Sequence, residues 1–177
     1  MKPLPLPSYE KLHEVFEIDE TSPSRLRWKK SACTRIKPGT VAGCKSDKGY
    51  WNVYLINKRY KVHRIIFYME TGIDPGNKLV DHAERDTSSN YDLRLATYSQ
   101  NSANRKKGVY KKSVPHSSYK GVTWHKQHKK WMAQIICNRQ KTHLGYFKDE
   151  ISAAVAYNEA AVRLWGEFAV LNDLNQA

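Results

Sequence analysis

Three residues in the middle of the chain have the types and spacing needed to cut a phosphodiester bond. Asp81 and His82 are adjacent, and Asn101 follows His82 by 19 residues. A carboxylate and a carboxamide can bind one hard divalent cation through oxygen, and an imidazole beside them can take a proton from water near neutral pH. The pattern therefore predicts His82 as a general base and Asp81 with Asn101 as ligands of one Mg²⁺ ion.

Short elements around these residues must position them. The sequence predicts strands at 79–81 and 93–96, and Thr97 has the residue type of a helix N-cap for a helix at 98–106. Packing that helix across the two strands would bring Asn101 beside Asp81. Further upstream the sequence predicts a helix at 8–18, a strand at 25–29, a hairpin of strands 51–56 and 60–62 with its turn at 57–59, and a helix at 63–70 that ends at Gly72.

The positive charge of the chain is concentrated in one block. The net charge is +13, yet no Asp or Glu occurs between Leu93 and Lys148, and that block holds 13 of the 30 Lys and Arg residues. The rest of the chain therefore carries 17 basic and 17 acidic residues (30 − 13 = 17) and is neutral. Such a block favours a nucleic-acid partner over a solvated basic face.

The second half of the chain has the pattern of a small independent module. A basic linker at 107–118 precedes predicted strands at 119–124, 131–137 and 141–147, and Asp149 is placed to cap a helix at 150–165 that ends at Gly166. The apolar face expected for that helix consists of Ile151, Ala154, Val155, Val162 and Trp165.

Residues around the first motif resemble a known family. Val80-Asp81-His82, the Leu93–Ala96 strand with Thr97, and Gln100 to Asn104 are similar to the HNH nucleases, in particular the phage-type HNH homing endonucleases, as is the segment 51–67. The resemblance implies an α+β fold with an N-terminal HNH ββα-metal nuclease domain at 1–106, whose motif spans about 79–106. It implies His82 as general base, Asp81 and Asn101 as ligands of Mg²⁺ or Mn²⁺, and Asp92 at the loop-fixing position, where the family has Asn. His63 and Arg64 are expected to be structural or to contact phosphate.

The second module resembles another family. Residues 119–172 are similar to the ethylene-response-factor (Apetala-type) DNA-binding domain of plants, which implies a three-stranded antiparallel sheet packed on one helix, with a domain at 119–177. In that family one sheet face lies in the DNA major groove, and Trp131 is expected in the core. The matching positions here are Lys120, Thr123, His125, Gln134, Ile136, Lys141 and His143.

Other basic and polar residues complete the expected DNA contacts, mainly to phosphate. They are Arg94, Asn104, Arg105, Lys106, Lys107, Lys111, Lys112, Lys126 and Arg139.

Together these patterns predict a site-specific DNA endonuclease of the homing type that acts on double-stranded DNA as a monomer or homodimer. The alternatives are a DNA-binding transcriptional regulator with a degenerate HNH fold and an RNA-binding protein, although A-form RNA hides its major groove from a sheet. With three cysteines and no CxxC pair, neither a zinc knuckle nor a disulfide is expected. No membrane span or signal peptide is expected, and the expected location is the cytoplasm of a bacterial host or phage-infected cell.

Overall fold

The protein is described by a computed structural model at residues 3–31, 35–84, 90–105 and 117–175. The chain divides into two compact units, Met1–Ala96 and Thr97–Ala177. Within the described ranges it is a mixed α/β protein with four α helices and four small antiparallel sheets. No helix in those ranges is long and apolar enough to cross a membrane.

The described residues of the first unit form two helices and seven short strands. In chain order these are α1 (Tyr9–Val15), β1 (Phe16–Ile18), β2 (Leu26–Trp28), β3 (Cys44–Lys45), β4 (Trp51–Leu55), β5 (Lys58–Lys61), α2 (Val62–Thr71), β6 (Leu79–His82) and β7 (Leu93–Ala96). Strand β1 pairs with β2, the order β3-β4-β5 forms a second sheet, and β6 pairs with β7.

Helix α2 lies at the centre of the first unit. Val62, Ile65 and Ile66 are fully buried and pack with Leu12 of α1 and Phe16 of β1 in one apolar core. The predicted glycine C-cap is confirmed, because Gly72 has a φ of 69° and its N–H donates to the Tyr68 carbonyl. This core is the support on which β6 and β7 rest, since α2 contacts both strands.

The second unit begins with the helix that carries Asn101. Its elements are α3 (Tyr98–Ala103), β8 (Val122–His125), β9 (Lys130–Cys137), β10 (Gln140–Phe147), α4 (Glu150–Trp165) and a 3₁₀ turn (Gly166–Phe168). The sheet order is β10-β9-β8, and α4 packs on all three strands. The predicted caps are present: Asp149 accepts from the Ser152 N–H, and the Gly166 N–H donates to the Val162 carbonyl.

The buried face of α4 differs from the predicted one. Ala153, Ala154, Tyr157, Ala160 and Ala161 are buried, together with Trp165. Three residues of the predicted face are instead exposed, namely Ile151, Val155 and Val162. Small alanines let the helix approach the sheet closely, and that close approach decides which face is buried.

Several element boundaries also differ from prediction. Residues 16–18 form strand β1 and are not part of the first helix, and α3 ends at Ala103. The β4–β5 and β9–β10 hairpins close through two-residue turns with positive φ, at Ile56-Asn57 and Asn138-Arg139, so β5 and β10 begin earlier than predicted. Such tight turns match the natural twist of paired strands.

Gly121 gives a test of packing in the second unit. It has a φ of +77°, and a Cβ there would lie 2.1 Å from Cδ2 of Tyr157 and 2.7 Å from the Gln134 carbonyl oxygen. We expect Gly121→Ala to lower the unfolding free energy by roughly 2 kcal/mol or more, because overpacking adds to backbone strain. Thermal unfolding measures the loss. The control is Gly166→Ala, where φ is +50° but no atom lies within 4 Å of the added Cβ; equal losses would show that Gly121 is not tightly packed.

Candidate functional site

Asp81 and His82 lie at the end of β6, where the first unit presents its candidate chemistry. Strand β6 pairs with β7 in the register Asp81↔Arg94 and His82↔Leu93. Both side chains are buried, Asp81 at 8% exposure and His82 at 4%. Arg94 Nη2 lies 3.5 Å from Asp81 Oδ2, so the carboxylate is paired across the strands. Arg94, predicted to contact DNA, is thus placed to orient Asp81.

Two further rings surround His82. His63 of α2 packs edge to face against it, with ring centroids 4.8 Å apart. The Tyr50 ring lies 5.9 Å from the His82 ring and 5.6 Å from the His63 ring. The imidazole of His82 is therefore held within a cluster of three rings, which fixes its position better than a strand end alone would.

Arg64 has a structural position, which is one of the two roles expected from the sequence. Its guanidinium donates to the carbonyls of Lys78 at 2.7 Å and Gly76 at 2.8 Å. These bonds fix the turn immediately before β6. Arg64 therefore sets the start of the strand that ends in Asp81 and His82.

The loop between β6 and β7 is anchored by a residue that sequence reasoning missed. Asn90 is 1% exposed, and its side-chain Nδ2 donates to the Ser24 backbone carbonyl at 2.9 Å. Its backbone carbonyl accepts from Arg25 Nη1 at 2.7 Å. Asp92, predicted to fix the loop, has an exposed side chain and a φ of 47°, while its carbonyl accepts from the Ala83 N–H. A tie to a region 66 residues away leaves no signal in the local sequence.

Because His63 is buried beside His82, the stability of the first unit is expected to depend on pH. Burial first, then His82, Lys61 and Arg64, hold the pKa of His63 well below its usual range. His63 therefore stays neutral in the folded unit, while the unfolded chain takes up a proton below about pH 6.5. The stability contributed by neutral His63 is complete above that pH and is lost as the pH falls.

We therefore expect the melting temperature of the first unit to fall between neutral and mildly acidic pH. One proton taken up only by the unfolded chain costs at most about 1.4 kcal/mol per pH unit. His63→Asn should remove this part of the dependence, measured as the difference in pH slope between the two proteins. Identical slopes would show that His63 does not titrate in this way.

Asn101 belongs to the second unit. Thr97 caps α3 and forms a capping box with Gln100, as the N-cap prediction required. Ser99 Oγ accepts from the Asn138 N–H at 3.2 Å, and α3 contacts α4. The helix that carries the second predicted metal ligand thus packs within the second unit, so the sharing of one ion by Asp81 and Asn101 stays a prediction.

Lys120 also has an internal partner. Its Nζ donates to the carbonyls of Ala103 and Arg105, each at 2.6 Å. A cation at a helix C-terminus satisfies carbonyls that the helix leaves open and interacts favourably with the helix dipole. Lys120, predicted to contact DNA, therefore closes α3 in this structure.

The remaining predicted contacts of the second module lie largely on one sheet face. The register pairs Thr123 with Met132, His143 with Gln134, and Lys141 with Ile136. Directly paired residues project from the same face, and residues two apart on a strand do so as well. The outer face is thus formed by Thr123, His125, Gln134, Ile136, Lys141 and His143. The opposite face carries Ala133 and Ile135 and is covered by α4, and Trp131 packs against that core.

A β-bulge adds an aromatic residue to the outer face. The register shifts between His143 and Gly145, which places Tyr146 opposite Met132. The Tyr146 ring then lies 4.6 Å from both His143 and His128, and 5.1 Å from His125. Sequence reasoning missed Tyr146 and His128; the interior glycine of β10 was the one available signal for the bulge.

Other predicted contacts are exposed or fall outside the described residues. Arg105, Lys126 and Arg139 are exposed, whereas Asn104 is buried at 7% exposure. Lys106, Lys107, Lys111 and Lys112 lie outside the described residues, as does Cys33; Cys44 and Cys137 are free thiols. In the described ranges no three His, Cys, Asp or Glu side chains are grouped to hold a metal ion.

The chain is similar in sequence to two kinds of known protein. No protein-family model matches the chain. An uncharacterized HNH endonuclease of Acanthamoeba polyphaga mimivirus is 32% identical over 135 residues, which cover 72% of this chain and 64% of the viral protein. The AP2-like ethylene-responsive transcription factors PLT2 and ANT of Arabidopsis thaliana are 43% and 41% identical over 58 residues, 32% of this chain. The chain spans about a tenth of the length of each plant relative. It is thus weakly homologous to a viral HNH endonuclease and, over a short stretch, to AP2-like factors.

Proposed function

We propose that the chain is a site-specific DNA endonuclease of the HNH homing type, which hydrolyses one phosphodiester bond per active site. The observation that carries the proposal is the Asp81-His82 pair at the end of β6, held by Arg94, His63 and Tyr50. Similarity to a protein named an HNH endonuclease, over 72% of the chain, supports it. The domain division proposed is a nuclease domain at 1–106, a basic linker at 107–118 and a DNA-binding domain at 119–177.

The donor atoms of the centre suit a hard divalent cation. Asp81 offers a carboxylate and Asn101 a carboxamide, and oxygen ligands of this kind bind Mg²⁺ or Mn²⁺. Asp81 belongs to the first unit and Asn101 to the second, so their joint binding of one ion is part of the proposal. When bound, such an ion neutralises charge that develops on the phosphate oxygens.

The protein side chains supply the remaining steps. His82 accepts the proton of the attacking water, which lets the oxygen attack phosphorus in line with the departing 3′ oxygen. The ring cluster limits rotation of the imidazole, and Arg94 restrains the neighbouring carboxylate. The products are a 5′-phosphate and a 3′-hydroxyl. A monomer has one such centre and nicks one strand, whereas a homodimer cuts both.

The outer face of the second module directs the enzyme to its site. Thr123, Lys141 and His143 project from one face of the sheet, and Lys126 and Arg139 are exposed in the adjoining turns. A twisted antiparallel sheet fits the major groove of B-form DNA, where base edges are distinguishable. The AP2-like relatives are named as transcription factors, which supports a DNA-binding role for this module.

A second candidate function is a DNA-binding regulator with a degenerate nuclease fold. Two observations favour it. Asp81, a predicted ligand, is paired with Arg94, and Asn90, a residue outside the predicted site, ties the segment before β7 to Ser24. The two functions differ in whether bound DNA is ever cut.

The test is a nicking assay on supercoiled plasmids with Mg²⁺ or Mn²⁺, with EDTA as the control. The endonuclease predicts nicked circles that need the metal and that can be resealed by DNA ligase, because ligase requires 5′-phosphate and 3′-hydroxyl ends. Asp81→Asn should abolish metal-dependent nicking. A protein that binds plasmids but never nicks them is the regulator.

A further inference from the structure

The first unit carries a net positive charge, with 17 Lys and Arg against 12 Asp and Glu in residues 1–96. Four acidic side chains around α1, β1 and β2 are held in ion pairs, namely Glu14 with Lys11 and Lys30, Asp19 with Arg27, and Glu20 and Glu70 with Arg25. Pairing on that part of the unit leaves cations elsewhere without acidic partners. The unit therefore has a local excess of positive charge away from α1, β1 and β2.

That excess lies on strand β5. Arg59 and Lys61 are two residues apart on the strand and project from the same face. This face is opposite the buried one, which carries Tyr60. In the described part of the chain neither Arg59 nor Lys61 forms an ion pair, and Asp47, an acid in the nearby turn, forms none with them either.

The cations lie close enough to interact. Burial first, then Arg59 and Lys48, lower the pKa of Lys61. Placing like charges together opposes folding, so such a cluster fits a surface whose charge an external anion neutralises. We name Lys48, Arg59 and Lys61 the basic track.

Lys61 of the basic track lies close to His82, the candidate general base, with the Tyr50 ring between them. Lys61 Nζ lies over the Tyr50 ring, 4.7 Å from its centroid. The same ring lies 5.9 Å from the ring of His82. One aromatic side chain thus separates the ammonium of Lys61 from the imidazole that would accept a proton from the attacking water.

We propose that Arg59 and Lys61 form a phosphate-binding subsite that holds the DNA backbone beside the bond cleaved at His82. The inference rests on the proposed nuclease function and adds a contact surface in the catalytic unit, independent of the outer sheet face of the second module. The ligand is the phosphodiester backbone, bound through charge, so the subsite contributes affinity and position and no base specificity.

The experiment compares full-length proteins in their affinity for one duplex over a range of salt concentrations, by fluorescence anisotropy in EDTA. In Arg59→Gln/Lys61→Gln the slope of log affinity against log salt should become shallower by about 1.8, at about 0.9 per phosphate contact. The matched control, Lys11→Gln/Lys30→Gln, removes the same charge from lysines that are paired with Glu14. Its slope should equal that of the wild type.

Equal slopes for the track variant and the control would overturn the proposal. Arg59→Lys/Lys61→Arg keeps the charge and should keep the wild-type slope, which separates a lost phosphate contact from a misfolded hairpin. Because binding is measured without metal, the experiment can reject the phosphate-binding subsite without rejecting the nuclease function, and the reverse. A shallower slope in a protein that never nicks DNA rejects the nuclease alone, whereas nicking with an unchanged slope rejects the subsite alone.

Discussion

Replacing His82 with alanine is expected to slow strand nicking by about 10²- to 10⁴-fold, the usual contribution of a general base. DNA affinity should be unchanged, because the side chain is 4% exposed and acts on the water. Single-turnover nicking of bound DNA measures the chemical step directly. His13→Ala is a matched control, since His13 belongs to the same unit and its Nε2 lies against the Met69 carbonyl, in no contact with the ring cluster.

An unchanged nicking rate in His82→Ala would remove His82 from the mechanism. Because the imidazole packs against His63 and Tyr50, thermal unfolding of the variant must accompany the assay. A variant that melts like the wild type and nicks slowly supports the role of base. A rate that falls only in proportion to lost folded protein contradicts it.

The second large effect is expected on the outer sheet face. The combined variant Thr123→Ala/Lys141→Ala/His143→Ala should lower the ratio of specific to non-specific affinity by about 100-fold or more, because each lost base contact costs about 1–3 kcal/mol. Competition between the cognate duplex and a scrambled one measures that ratio. Thr142→Ala is the control, since Thr142 pairs with the buried Ile135 on the opposite face.

A ratio unchanged in the combined variant would show that the sheet face does not select the site. Point substitutions are preferable to deleting residues 119–177. Deletion would also remove Lys120, whose Nζ holds the end of α3 through the carbonyls of Ala103 and Arg105. The loss of Asn101 geometry could then be mistaken for a loss of recognition.

Elements with local chemical signals could be predicted from the sequence. Thr97 with Gln100, Asp149 and Gly72 cap their helices as their residue types indicate. Capping depends on residues within one turn, so neighbouring residues suffice to predict it. The strand predicted at residues 93–96 is likewise confirmed as β7.

Features that depend on distant contacts could not be predicted. The hydrophobic face expected for α4 is wrong because the sheet accepts alanines at close range, leaving Val162 exposed at 52%. Asn90 anchors its loop through Ser24, and Tyr146 reaches the outer face through a bulge. Each case is set by packing or pairing between segments that are not neighbours in the sequence.

Counting charges along the sequence identified the basic block at 93–148 but did not identify the basic track. The residues outside that block sum to zero. Among the residues that the structure describes, the acids Glu14, Asp19 and Glu20 form ion pairs, whereas Arg59 and Lys61 on β5 form none. Only the fold separates paired from clustered charge. The electrostatic contribution of each unit to the proposed DNA binding therefore has to be measured by substitution.

The most direct test of the nuclease is the fate of a DNA duplex that the wild-type protein has already bound. On addition of Mg²⁺ or Mn²⁺, we predict that the bound duplex is nicked at one position, and that Asp81→Asn binds the same duplex and leaves it whole. Bound wild-type complexes that keep both strands intact with either metal would contradict the account and identify the protein as a DNA-binding regulator.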